Sequence, residues 1–123
     1  MAVTTIEIAI SGSDLTETKR KELEEGMFEL EQWMANRIYE LSQDTVPVAT
    51  GFLKRTGQVS LEDGKPMVTY VADYAEVVEN GIPGRREGEF FLENAVDTVF
   101  LELEGVIPDF IPEGLTISTL ATE

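Results

Sequence analysis

The chain has 123 residues, with no cysteine, no histidine and 24 acidic against 9 basic side chains, for a formal net charge of −15. The two absences exclude disulfides, thiolate catalysis, cysteine-ligated metal centres and the usual neutral-pH general base. The charge argues against gripping nucleic acid through its phosphates, which takes clustered lysine and arginine.

A chain of this length is expected to form one domain. No apolar run reaches the roughly 20 residues that cross a bilayer, and no basic-then-apolar leader pattern opens the chain. A soluble protein made in a cytoplasm is therefore expected. The charge is uneven: residues 1–72 carry 12 acids and 7 bases, whereas residues 73–123 carry 12 acids and only Arg85 and Arg86 as bases.

"VTTIEIAIS" (Val3–Ser11) alternates with Ile6, Ile8 and Ile10 on one side, which predicts a half-buried strand. "SGSD" breaks it, and Asp14 with Glu17 fits a capping box. From about Leu15 to Ser42, Leu23, Met27, Leu30, Met34, Ile38 and Leu41 recur at spacings of three and four, so they share one helical face. Phe28 and Trp33 widen that face, and Gly26 interrupts the run. Such a helix is about 40 Å long, more than a small sheet needs for cover, so part of it is a candidate for contact with another subunit.

Pro47 ends the helix by disfavouring the helical region at Val46. Thr50 is placed to cap a short turn, with Gly51 supplying backbone freedom. "QVSLEDGKPMVTYVA" predicts a hairpin with Val59 and Leu61 on one arm and Val68, Tyr70 and Ala72 on the other. Asp63-Gly64 is a favoured two-residue turn, and Lys65-Pro66 leaves a longer loop open.

Asp73 is placed to cap a short helix through Asn80, with Gly81 just past its end. "IPGRREGE" is a loop of punctuating residues, and a last helix is expected from about Phe90 to Glu104 with Phe91, Ala95, Val99 and Leu103 inward. Beyond it, Leu115, Ile117 and Thr119 fit either a late strand or a tail that orders on contact with a partner. The reading is an α+β fold: a long N-terminal helix on a small antiparallel sheet, with one short and one longer C-terminal helix. Residues 1–107 form its single domain and residues 108–123 an extension.

Candidate chemistry is sparse. Glu76 and Glu79, three apart on a helix, are the pair best placed to share a magnesium or calcium ion or to do acid–base work. No calcium-loop spacing or phosphate cradle accompanies them, and adjacent carboxylates are common in so acidic a chain. No enzyme activity, cofactor or metal is expected. Arg85 and Arg86 are read either as solvated loop charges or as cations meeting acidic groups on a second copy. Lys54 and Arg55, beside Phe52 and Leu53, are likewise surface charges or part of a partner contact.

Three segments in order resemble one family. "PVATGFLKRTG" (Pro47–Gly57) is similar to the Pro-x-x-Thr-Gly-x-Leu-x-x-Ser segment of tailed-bacteriophage head–tail joining proteins, also called minor tail components or tail-completion proteins. "YAEVVENG" (Tyr74–Gly81) resembles that family's Tyr-Ala-x-x-x-Glu-x-Gly element, and "FFLENAV" (Phe90–Val96) its Pro-Phe-Leu-x-x-Ala helix start. Thr56 stands where serine is usual, Ala49 where an acid is frequent, and Phe90 where the family has proline. The likeness spans about residues 14–105.

The resemblance implies a non-enzymatic subunit of a ring, typically sixfold, in the neck or upper tail of a virion, built in the host cytoplasm. Its partners would be copies of itself, portal-side connector proteins and tail-tube or terminator proteins, with DNA passing through without sequence-specific binding. The matching positions would be structural: Pro47, Thr50, Gly51 and Leu53 at the turn after the long helix, and Tyr74, Ala75, Glu79 and Gly81 packing and ending the short helix. Phe91, Leu92 and Ala95 would seat the last one. Arg85, Arg86, Lys54 and Arg55 are the candidate interface cations. A negative lumen would repel passing phosphates over roughly 8 Å at physiological salt. The rival reading is an acidic DNA mimic that occupies a host protein's DNA-binding groove.

Overall fold

The computed structural model describes residues 2–11, 17–47, 51–110 and 116–122, with the backbone alone for residues 7–11, 17–19, 86 and 116–122. In chain order the elements are β1 (Ala2–Ser11), α1 (Glu17–Thr45), α2 (Phe52–Arg55), β2 (Gly57–Glu62), β3 (Lys65–Tyr70) and α3 (Ala75–Asn80). They continue with β4 (Gly81–Ile82), β5 (Arg86–Glu87), α4 (Phe91–Phe110) and β6 (Thr116–Thr122). The fold is α+β, as the hydrophobic periodicity predicts.

Four strands form one antiparallel sheet in the order β2-β3-β1-β6. The hairpin closes in two residues, since Glu62 pairs with Lys65 and the turn residues Asp63 and Gly64 both have positive φ, 52° and 78°. Pro66 does not lengthen it. Instead, the β1–β3 pairing stops at Thr5↔Met67, next to the residue that has no N–H to offer. Residues 5–11 of β1 pair with β6, so the segment after residue 115 adds a strand to this same sheet. The predicted Asp14 cap and Thr50 cap lie outside the described residues.

One face of the sheet carries the helices. Pro66, Val68 and Tyr70 alternate along β3, and Ala2, Thr4 and Ile6 alternate along β1; all are buried with the inward stripe of α1, Leu23, Leu30, Met34 and Ile38. Phe28 lies at the surface and Trp33 is half-buried. α4 packs on α1, and its buried face consists of Phe91, Leu92, Ala95, Val96, Val99 and Leu103. Both long helices overrun their predicted ends. α4 continues past Glu104 and through Pro108 because Val106, Ile107 and Phe110 pack against the core, a tertiary gain that outweighs the breaker signal.

Tyr70 is the polar knot of this core. Ser42 spends its single hydrogen on the Tyr39 carbonyl (2.9 Å), so the Tyr70 phenol donates to Ser42 Oγ (2.6 Å) and accepts from Gln43 Nε2 (2.9 Å). The second hydrogen of Gln43 Nε2 goes to the Lys54 carbonyl (3.0 Å), which ties α1, α2 and β3 together. Burial pushes the phenol above its ordinary pKa. The ring meets Phe91 edge-on at 4.9 Å. β2 fits beside it only because residue 57 is glycine: an added Cβ would stand 2.7 Å from the Tyr70 ring and 2.6 Å from Gln43 Nε2.

Arg37 of α1 donates twice to Glu102 of α4, at 3.0 and 2.9 Å, and this bidentate pair holds the Glu102 carboxyl below its ordinary value of 4.5. A lowered folded-state value means the stabilisation is complete above the unfolded pKa and is lost as the pH falls through the folded one. Both side chains are about one-third exposed, so the effect is modest and salt-screened. Glu102→Gln should lower the thermal midpoint at neutral pH, and its deficit against wild type should close in strong acid. A deficit that stays constant across that pH range would show that ionisation of Glu102 contributes nothing to it, and no deficit at all would show the pair is energetically silent.

Candidate functional site

α3 and α4 are joined by residues 81–90, the segment that holds the late cations. α3 is too short to be stable alone, and the Ala72 carbonyl, which accepts the Ala75 N–H at 3.0 Å, starts it. Asp73 does not cap it: the flanking residue is Tyr74, without a side-chain cap bond. Backbone has already supplied the acceptor. The helix ends as predicted at Gly81, φ 77°, a conformation that suits glycine.

The chain then makes a small two-stranded ribbon, with Gly81 opposite Glu87 and Ile82 opposite Arg86. Pro83 and Gly84 (φ 74°) occupy the middle of a turn closed by the Arg85 N–H donating to the Ile82 carbonyl at 3.0 Å, the type II pattern. The ribbon's root is cinched. Glu89 and Phe90 N–H groups donate to the Val78 and Glu79 carbonyls at 2.8 and 3.0 Å, satisfying the open end of α3. Gly88 makes this approach possible, because a Cβ there would lie 2.6 Å from the Glu79 carbonyl oxygen.

Glu79 completes the root. It is 3% exposed, and its carboxylate accepts the Leu92 N–H at 3.0 Å and the Glu93 N–H at 2.9 Å. A side chain of α3 thus caps α4. Phe90, whose carbonyl accepts the Asn94 N–H at 2.9 Å, occupies the usual capping position with φ 50° and no side-chain oxygen. The buried carboxylate replaces the missing cap and also faces the positive end of the helix dipole. Glu76 is exposed while Glu79 is buried, so the structure separates the two carboxylates whose spacing made them the candidate cation pair. Among the described residues, no group of three or more acidic side chains could hold a metal ion.

The tip of the ribbon is open. Ile82, Arg85, Glu87 and Phe90 line a concavity of about 510 Å³ together with Asn80 and Gly88. Arg85 is exposed; of Arg86 only the backbone is described. Lys54 and Arg55 are exposed on α2, and the side chains of Lys54, Arg55 and Arg85 make no ion pair among the described residues. Leu53, Ala75, Phe91, Leu92 and Ala95 are all buried, and Gly51 has φ 74° before α2. Pro47 is half-buried after α1. Tyr74 departs from expectation: it is 43% exposed and packs on exposed Phe52 at 6.3 Å, not in the core. Its rim position follows from the turn at 72–75, which leaves Ala75 as the buried residue. Gly88 and the apolar border of Ile82 and Phe90 were not singled out by sequence; a glycine between two glutamates was the available signal.

Compared with protein-family models, with curated proteins and with solved structures, the chain matches none of them. The likeness to head–tail joining proteins rests on its three sequence segments.

Removing the cap tests the root. Glu79→Ala should cost about 2–3 kcal/mol, the scale of losing hydrogen bonds to a buried charged acceptor, and Glu79→Gln about half that, because the amide oxygen still accepts one N–H. Equal midpoints for wild type and both variants in chemical denaturation would refute the capping role. Gly88→Ala should destabilise by roughly 1–3 kcal/mol through backbone overlap, whereas Gly84→Ala should act only through its positive φ, since space beside it is open.

Proposed function

We propose that the protein is a structural subunit of a ring in the neck or upper tail of a tailed virion, joining the DNA-filled head to the tail while DNA passes through. One observation carries the reading: the three motif segments meet through structural contacts, and the loop they frame has a fixed root and an exposed tip. Phe52 of the first segment touches Tyr74 of the second, and Glu79 of the second caps the helix that opens the third. Glu79, one of the two carboxylates that were candidates for chemistry, therefore has mechanical work, which suits a scaffold. Residue 90 marks a departure. The family's proline, fixed near φ −65°, could not adopt the 50° of Phe90 or donate its N–H to Glu79, so this chain enters its last helix along its own path.

On this reading the ribbon tip docks against a neighbouring subunit or ring. Arg85 is a cation in a strongly acidic half, and pairing it with carboxylates across a contact offsets repulsion between copies. Joined with Arg86→Glu, Arg85→Glu should leave the unfolding free energy of the isolated protein within about 0.5 kcal/mol of wild type, the scale of a surface substitution. The same double variant should reduce the yield of tailed particles in an assembly or complementation assay. Normal numbers of tailed, infectious particles would remove the loop from the mechanism, and tailed particles after deletion of the gene would remove the ring function itself. A monomer that captures a basic DNA-binding protein and leaves assembly untouched would favour the DNA-mimic reading instead.

A further inference from the structure

Among the described residues the four-stranded sheet ends in two open edges, β2 and β6. Open edges are templates for pairing with other chains, and proteins usually blunt them with lysine, proline, bulges or inward charges. Here they are not blunted. Among the 13 residues of GQVSLE and TISTLAT only Glu62 is charged, and neither strand holds a lysine or a proline, in a chain where 27% of residues are charged.

β2 has further marks of an unfilled contact. The two-residue hairpin makes Glu62–Lys65 a hydrogen-bonded pair, so alternation leaves Leu61, Val59 and Gly57 with their N–H and C=O groups directed away from β3. Val59 and Leu61 lie opposite buried Val68 and Pro66, on the helix-bearing face, yet they are 38% and 56% exposed. α1 offers them only Gln32 and Asn36, across an open groove of about 240 Å³. The strand has core-type residues that the described residues cover only in part.

We infer that the β2 edge pairs with the β6 edge of a second copy, so that the sheet continues from subunit to subunit. The partner's identity rests on the ring reading above; the pairing itself rests on the sheet. All neighbouring strands are antiparallel and their number is even, so β2 and β6 run in opposite directions. A copy related by rotation about a ring axis therefore presents β6 antiparallel to β2, the stronger pairing sense. A two-fold β2–β2 contact would leave both β6 edges open, whereas a head-to-tail contact that closes leaves none. Electrostatics agrees. For subunits with a net charge of −15 each, near-neutral edges are where backbones approach with least repulsion.

The chain has no cysteine, which gives a clean test. Leu61→Cys is combined in turn with Ile117→Cys, Thr119→Cys or Ala121→Cys in the full chain, and each double variant is oxidised at the highest soluble concentration. At least one should give a ladder of covalent multimers on denaturing gels, while each single variant gives none. Dimers from Leu61→Cys alone would indicate two-fold β2 pairing and overturn the inference, as would the absence of multimers from every double variant. In parallel, Val59→Lys with Leu61→Lys should lower self-association by about tenfold or more, read by sedimentation. Leu101→Lys, at an 85% exposed site on α4, should leave it unchanged. Rings that form without any ladder overturn edge pairing and leave the ring reading standing. If the chain stays monomeric throughout, edge pairing fails, and the ring function is then decided by the particle assay.

Discussion

The carboxylate of Glu79 fixes the place where α4 begins relative to α3, and most of the molecule's C-terminal half depends on that placement. Two N–H groups that no intrahelical carbonyl can satisfy find their acceptor on another helix, thirteen and fourteen residues earlier in sequence. With the Glu89 and Phe90 donors bound to the Val78 and Glu79 carbonyls, both helix ends become one closed unit. Burying an acid in a chain of net charge −15 is tolerable because it faces a helix N-terminus and charge-assisted hydrogen bonds, which offset its desolvation.

α4 is held at a second point by the Arg37–Glu102 fork, so its seat on α1 is set both by apolar packing and by two polar contacts far apart along its axis. Directional contacts of this kind add less energy than the buried stripe of Phe91, Leu92, Ala95, Val99 and Leu103. They add register, since an apolar stripe alone tolerates sliding by a turn. The Tyr70 network does the same for the sheet, because Gln43 and Ser42 can reach the phenol only when α1 crosses β3 at one height.

Periodicity made the elements legible, and neighbours decided the rest. The inward residues of α1 and α4 follow from spacing alone, and Asp63-Gly64 announced the turn. Alternation also placed Val59 and Leu61 on the helix-bearing face, but burial depends on what lies opposite, and α1 does not extend over the edge strand. Glu79 illustrates the limit most clearly. Its place in the segment Tyr74–Gly81 was visible, yet its acceptor role needs partners across a loop whose closure depends on Gly88. Local propensity misplaced the cap of α3 and the end of α4 because a backbone carbonyl and tertiary packing took precedence over side-chain signals.

The distribution of charge gives these pieces a common logic on the ring reading. A subunit so acidic repels its copies wherever carboxylates meet, and at physiological salt that repulsion reaches only about 8 Å. Association then becomes selective by exclusion. On that reading contacts succeed where acids are sparse, as along the two sheet edges with Glu62 alone, or where a cation compensates, as at Arg85 on the ribbon tip. The cinched root limits the conformational freedom the ribbon must lose on docking. On that reading, the same acids that keep free subunits apart confine joining to the few surfaces where they are sparse or compensated.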